Sequence, residues 1–167
     1  MSDSTLYDDD ILLWSEQQAA AIRKLGATRR DLRNELDIEN VAEEIESVGR
    51  SELAAVKSCL RLIFIHLIKL VGETDSQAAS HWRIEIAGFH SDMMERYAPS
   101  MRQRIDIDKI WRSAREPLLL TPNSLQRQLI EELPERCPFS IDEFVAERLD
   151  SVALLERLQP RHDQARV

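Results

Sequence analysis

A chain of 167 residues with 43% apolar and 31% charged residues can bury a core of its own, and this balance excludes a disordered or disulfide-stapled protein. A net charge of −8 opposes broad phosphate binding, so nucleic acid is not the expected partner, and it excludes a polybasic membrane anchor. Four Gly and six Pro leave few breaks, which favours long helices. Cys59 and Cys137 form no CxxC pair and no disulfide framework, so a reducing cytoplasm is the expected setting.

The N-terminus, MSDSTLYDDD, is acidic and polar, unlike a secretory signal or a transit peptide. Residues 1–6 are expected to fray. Asp8, Asp9 and Asp10 then supply a helix start, and Ile11, Trp14, Gln18, Ile22 and Leu25 form one stripe up to Gly26, a natural stop. Residues 28–35 read as a connection. Asp37 opens the central element, a helix to Gly72 with an acidic first half and an apolar second half. At 100° per residue, Val41, Ile45, Val48, Val56, Ile63, Leu67 and Leu70 share one sector with Cys59 and His66. Gly49 lies within this helix, where a kink or the close approach of another helix would account for it. The apolar run from Leu60 to Val71 is too short for a bilayer span, which needs about 20 residues, so it reads as a core segment.

Residues 72–79 read as a loop. Ser80 caps a third helix with the stripe Trp82, Ile86, Phe89, Met93 and Tyr97. Pro99 starts a fourth that runs to about Arg115, and Pro117 breaks the chain. Thr121-Pro122 opens a short helix, and Ser140 with Glu143 forms a capping box before the last one. The expected fold is therefore all-α: an up-and-down helical bundle of about four main helices with short extra C-terminal helices. Residues 1–158 are expected to be a single domain and 159–167 a disordered tail. Trp14, Ile45, Val48, Val56, Leu60, Ile63, Leu67, Trp82, Ile86, Phe89 and Met93 are the expected core.

Three blocks together carry a resemblance: Tyr7-Asp-Asp-Asp10 with Trp14-Ser-Glu-Gln17, the run DIENVAEEIESVG from Asp37 to Gly49, and Leu133-Pro-Glu-Arg-Cys-Pro-Phe139. With His66-Leu-Ile-Lys69 and Trp82 they resemble the domain-of-unknown-function family number 29, a bacterial group of all-helical proteins. Arg136 stands where that family has an acidic residue, and Leu70 where it has an aromatic one. The resemblance reaches to about Leu149. It implies an all-α fold and brings no activity, cofactor or site residues.

Glu44, Glu52, His66 and His90 are the candidate site residues. Clustered helix carboxylates with a histidine can build metal or general-base sites in helical bundles. However, no Glu-x-x-His is present, and the carboxylates around Glu44 spread around the helix as dipole-favoured charges would. Glu52 falls inside the apolar sector, which a salt bridge to an arginine or an exposed kink near Gly49 would account for. His66, on the apolar face, reads first as a core histidine. His81 and His90 are nine residues apart, on opposite sides of one helix. No cofactor or metal is expected, and HExxH, Gly-rich and GxSxG patterns are missing. Arg96, Arg102, Arg104, Lys109, Arg112 and Arg115 make a basic stretch against the acidic N-terminal third. Two functions follow. The first is a small protein–protein interaction or regulatory module, with a second copy of the chain as one partner that the charge asymmetry suits. The alternative is a helical-bundle enzyme or divalent-metal-binding protein using the Glu/His residues. Whether the chain is an enzyme is left open.

Overall fold

A computed structural model describes residues 5–29, 31, 36–73 and 76–159. The connection at 32–35 and the tail from 160 onward lie outside the described residues. The chain is all-α, with no strand among the described residues. It divides into two compact units, Met1–Val56 with Arg96–Ile105, and Lys57–Glu95 with Asp106–Val167.

The first unit holds α1 (Leu6–Asp9), α2 (Ile11–Thr28) and the N-terminal part of α3 (Ile38–Gly72), with a 3-10 turn at Pro99–Arg104. Asp10 organises it. One carboxylate oxygen accepts the Leu13 N–H at 3.0 Å, capping α2, and the Ser100 hydroxyl at 2.7 Å. The other accepts the Ser100 N–H at 2.9 Å. Burial opposes the charge on Asp10, but these bonds outweigh it and hold the carboxyl below its usual range. Gly49 is a point of close approach: a Cβ there would lie 2.2 Å from Ser15 Oγ and 2.9 Å from Leu12 Cα. Alanine would not fit between α2 and α3 without movement, and α3 runs through this position as one helix.

The acidic block is largely occupied by basic neighbours. Arg23 reaches Glu39 and Glu46 at 3.0 Å each and Glu43 at 3.7 Å, and Arg50 pairs with Glu43. Arg104 pairs with Glu16 at 3.0 Å. Part of the basic stretch thus meets the acidic N-terminal third within one subunit.

The second unit is built on the apolar part of α3, α4 (Gln77–Arg96), α5 (Ile107–Leu118), α6 (Ser124–Glu131), α7 (Ile141–Phe144) and α8 (Ser151–Leu158). Phe64 meets Trp111 and Phe144 edge-on, with centroids 5.4 and 5.2 Å away, and Phe139 stacks on it at 6.3 Å. The 133–139 segment docks by its backbone. Pro134 accepts the Trp111 indole N–H at 2.9 Å, and the Cys137 N–H donates to Asp108 at 2.8 Å. Arg115 donates to the carbonyls of Ile130 and Glu131 at 3.0 Å, closing the end of α6.

Several boundaries differ from expectation. Gly26 lies inside α2 rather than ending it, because a Cβ there would come within 2.6 Å of Ile38 Cγ2. Ser76, not Ser80, caps α4, accepting the Ala79 N–H at 3.0 Å. The fourth helix begins as the 3-10 turn, and α5 starts afresh at its cap Asp106. Pro117 sits in the last turn of α5, and Asn123 rather than Thr121 caps α6. The capping box at Ser140 opens only α7, and Asp150 caps α8 separately. Val48 is 43% exposed and not core, since Gly49, 100° further round the helix, makes the contact with α2. Trp14, Ile45, Trp82 and Phe89 are half-buried, and the other expected core residues are buried.

Candidate functional site

Histidine chemistry concentrates on α3 and α4 in the second unit. His66 is buried one turn from Ile63 and Leu70. Its Nδ1 lies 2.8 Å from the Leu62 carbonyl and its Nε2 lies 2.9 Å from Glu85 Oε2. A carbonyl only accepts, so its partners assign the Nδ1–H to Leu62. The short contact between Nε2 and the carboxylate then requires one further proton, held by the ring or by the carboxyl. The other Glu85 oxygen faces exposed His81 Nε2 at 3.5 Å, one turn earlier on α4. Both ring nitrogens of His66 are thus engaged, and neither offers a free lone pair to a substrate. The sequence offered a signal for Glu85, which was missed as a partner: it lies about 60° from the Trp82–Ile86–Phe89–Met93 stripe, on the flank of the core face.

The other candidates have different surroundings. Glu44 is exposed. Glu52 pairs with Arg96 at 2.9 Å, the first of the two alternatives for its place in the apolar sector. His90 is buried, and its Nε2–H donates to the Phe144 carbonyl at 3.0 Å. Its ring lines a cavity of about 240 Å³ together with Arg83 and Ala87 of α4 and Glu147, Arg148 and Ser151. No signal in the sequence tied residues 147–151 to His90, because the link depends on how the chain returns after α7. No group of three or more His, Cys, Asp or Glu among the described residues is placed to hold a metal ion.

The outward face of α4 is also distinctive. From Ser80 to Ser91 its residues Ser80, Ile84, Ala87, Gly88 and Ser91 are all exposed and uncharged, with Glu95 following in the last turn, and Ile84 is 71% exposed. Solvated helix faces normally carry charged residues. Gly88 stands mid-helix with nothing within 4 Å of where a Cβ would be, so no contact in this chain calls for glycine.

The sequence model of the family described as Domain of unknown function DUF29 matches residues 6–149. The structure of an alpha-helical protein of unknown function from Rhodospirillum rubrum is similar, with 34% identity and a TM-score of 0.81, over 95% of this chain and 100% of that one. No curated protein matches. No helix among the described residues is long and apolar enough to cross a membrane.

Proposed function

Taking as premise that the chain belongs to the family described as Domain of unknown function DUF29, we propose that it is a small cytoplasmic interaction module that works by self-association through the outer face of α4. The observation that carries this is the pairing of Ile84, 71% exposed, with Gly88, one turn later on the same face and open to solvent. A knob and a hole four residues apart are self-complementary. A two-fold axis between them seats each Ile84 over the partner's Gly88, and Ala87 and Ser91 let the helices approach closely. An unneeded helical glycine costs about 1 kcal/mol against alanine, a cost that close contact with a second helix explains.

The association is apolar rather than ionic. Arg96 and Arg104, which the charge pattern offered for pairing between subunits, are engaged by Glu52 and Glu16. The alternative, a bundle enzyme or metal-binding protein using Glu44, Glu52, His66 and His90, needs two of these side chains within ligand reach of each other. The partners recorded for Glu52, His66 and His90 are Arg96, Glu85 and Phe144, which lie outside that set.

Light scattering after size exclusion tests the proposal. The expected mass is twice the 19.3 kDa of one chain, unchanged in high salt, and it falls to one chain in Ile84→Asp. A single-chain mass for the unaltered protein across micromolar concentrations would overturn it.

A further inference from the structure

The His90 cavity has a chemistry of its own. Arg83 and Arg148 line it, both are exposed, and neither has a carboxylate partner among the described residues. Among the described residues, Arg23, Arg29, Arg50, Arg96, Arg104 and Arg157 pair with carboxylates, and Arg115 donates to helix-end carbonyls. Two guanidiniums without carboxylate partners on one concave wall favour an anion there.

The cavity also presents acceptors. The Nε2–H of His90 is used by the Phe144 carbonyl, so a neutral ring leaves a lone pair on Nδ1. This nitrogen has no partner among the described residues and is not among buried polar atoms left without one, so solvent reaches it. Glu147 lines the same space. At about 240 Å³ the cavity holds several times the ~30 Å³ that one water occupies in the liquid.

We propose that the cavity between α4 and residues 147–151 binds a small oxyanion that also carries a hydroxyl, namely phosphate or a small phosphate monoester. Arg83 and Arg148 take the anionic oxygens, for which guanidinium geometry is suited. His90 Nδ1 and Glu147 accept from the P–O–H or from a hydroxyl of the ester. A carboxylate without a hydroxyl satisfies the arginines and leaves both acceptors without a donor, which selects against it. The Asp150 carboxylate is taken up by the Ala153 N–H in capping α8, so it keeps its own partner. This site borders the exposed Ile84–Gly88 face through Ala87, but its ligand-binding groups lie outside that face and neither reading requires the other.

The test is a titration of the full chain at constant ionic strength, following the His90 ring resonances by NMR with three probes: inorganic phosphate, glycerol phosphate and acetate. Phosphate is expected to shift them saturably, with half-saturation of roughly 1–10 mM, and acetate to bind at least about tenfold more weakly. Arg83→Ala and Arg148→Ala are each expected to weaken phosphate at least about tenfold. Both side chains are exposed and unpaired, so these variants keep the fold. Tighter binding of glycerol phosphate assigns the site to an ester, and tighter binding of inorganic phosphate assigns it to the free ion. A linear drift without saturation for both phosphates, saturation indifferent to both arginines, or acetate binding as tightly as phosphate would overturn the proposal.

Discussion

His66 and Glu85 are joined across α3 and α4 by a contact of 2.9 Å, while the other ring nitrogen of His66 is held by the Leu62 carbonyl at 2.8 Å. The His66 ring is buried beside Phe89, whose ring centre is 5.5 Å from its own. The role of the His66–Glu85 pair is to lock two helices together. Removing the carboxylate leaves a buried ring nitrogen without a partner. Glu85→Ala is expected to lower stability by about 1–3 kcal/mol in urea unfolding. Glu85→Gln, whose amide can donate to Nε2, should lose clearly less. Equal losses for the two variants would mean that packing, not the hydrogen bond, sets the effect.

Gly49 and Gly88 make a matched pair of helical glycines with opposite expectations. At Gly49 an added methyl meets Ser15 Oγ at 2.2 Å and the Leu12 backbone at 2.9 Å, so Gly49→Ala should destabilise by about 1–3 kcal/mol. At Gly88 it meets nothing, so in dilute solution Gly88→Ala should stabilise the single chain by about 0.5–1 kcal/mol. Thermal unfolding of the two variants checks both signs.

These glycines show how much of the molecule was legible in its sequence. Long apolar periodicity identified α3 and the buried residues Val56, Leu60, Ile63, Leu67, Ile86 and Met93, because burial over many turns leaves a repeating pattern. Of the two accounts that the pattern left for Glu52, an arginine partner or an exposed kink, the structure shows the arginine, Arg96. The same rules misplaced Gly26 as a helix stop and left Gly49 open between a kink and the close approach of another helix, of which the structure shows the approach, since a glycine's local preference does not reveal which neighbour crosses over it. The acidic block beginning at Asp37 invited a functional reading. In the fold, Arg23 of the preceding helix, α2, collects Glu39, Glu43 and Glu46. The 133–139 block holds α5 through backbone carbonyls and amides, which no side-chain pattern announces. The His90 cavity was illegible for a similar reason: its arginines come from positions 83 and 148, with three helix starts between them.

Asp10 gives the fold a pH dependence with a definite sign. Burial opposes its charge, yet the bonds from Leu13 and Ser100 hold its carboxyl below the usual value. A depressed folded pKa means that the contribution is full above the unfolded value, near pH 4, and is lost as pH falls through the folded value. Asp10→Asn puts a donor where Ser100 also donates. It should cost about 1–3 kcal/mol at pH 7, and its deficit against the unaltered protein should shrink below about pH 4. A deficit that stays constant down to pH 2.5 or so would contradict this assignment.

Cys137 is expected to be a slow thiol. Burial pushes it up to about 11, with Asp108 and Glu143 acting in the same direction against the N–H of Phe139 and the charge of Arg157. In a Cys59→Ser background, alkylation by iodoacetamide at pH 8 should run roughly a hundredfold slower in the folded protein than in urea. Equal rates would show that the thiol is free to ionise.

The central claim is that α4 meets a second copy through the face bearing Ile84 and Gly88. The most direct measurement places a single cysteine at Ile84→Cys in a chain with Cys59→Ser and Cys137→Ser, and asks whether a bismaleimide of about 10 Å, the spacing of packed helices, joins two chains. The account predicts rapid, nearly complete covalent dimer from this position. It predicts little dimer from Leu120→Cys, which is more exposed at 85% but lies on the turn after α5. Equal and slow linkage from both positions would contradict it.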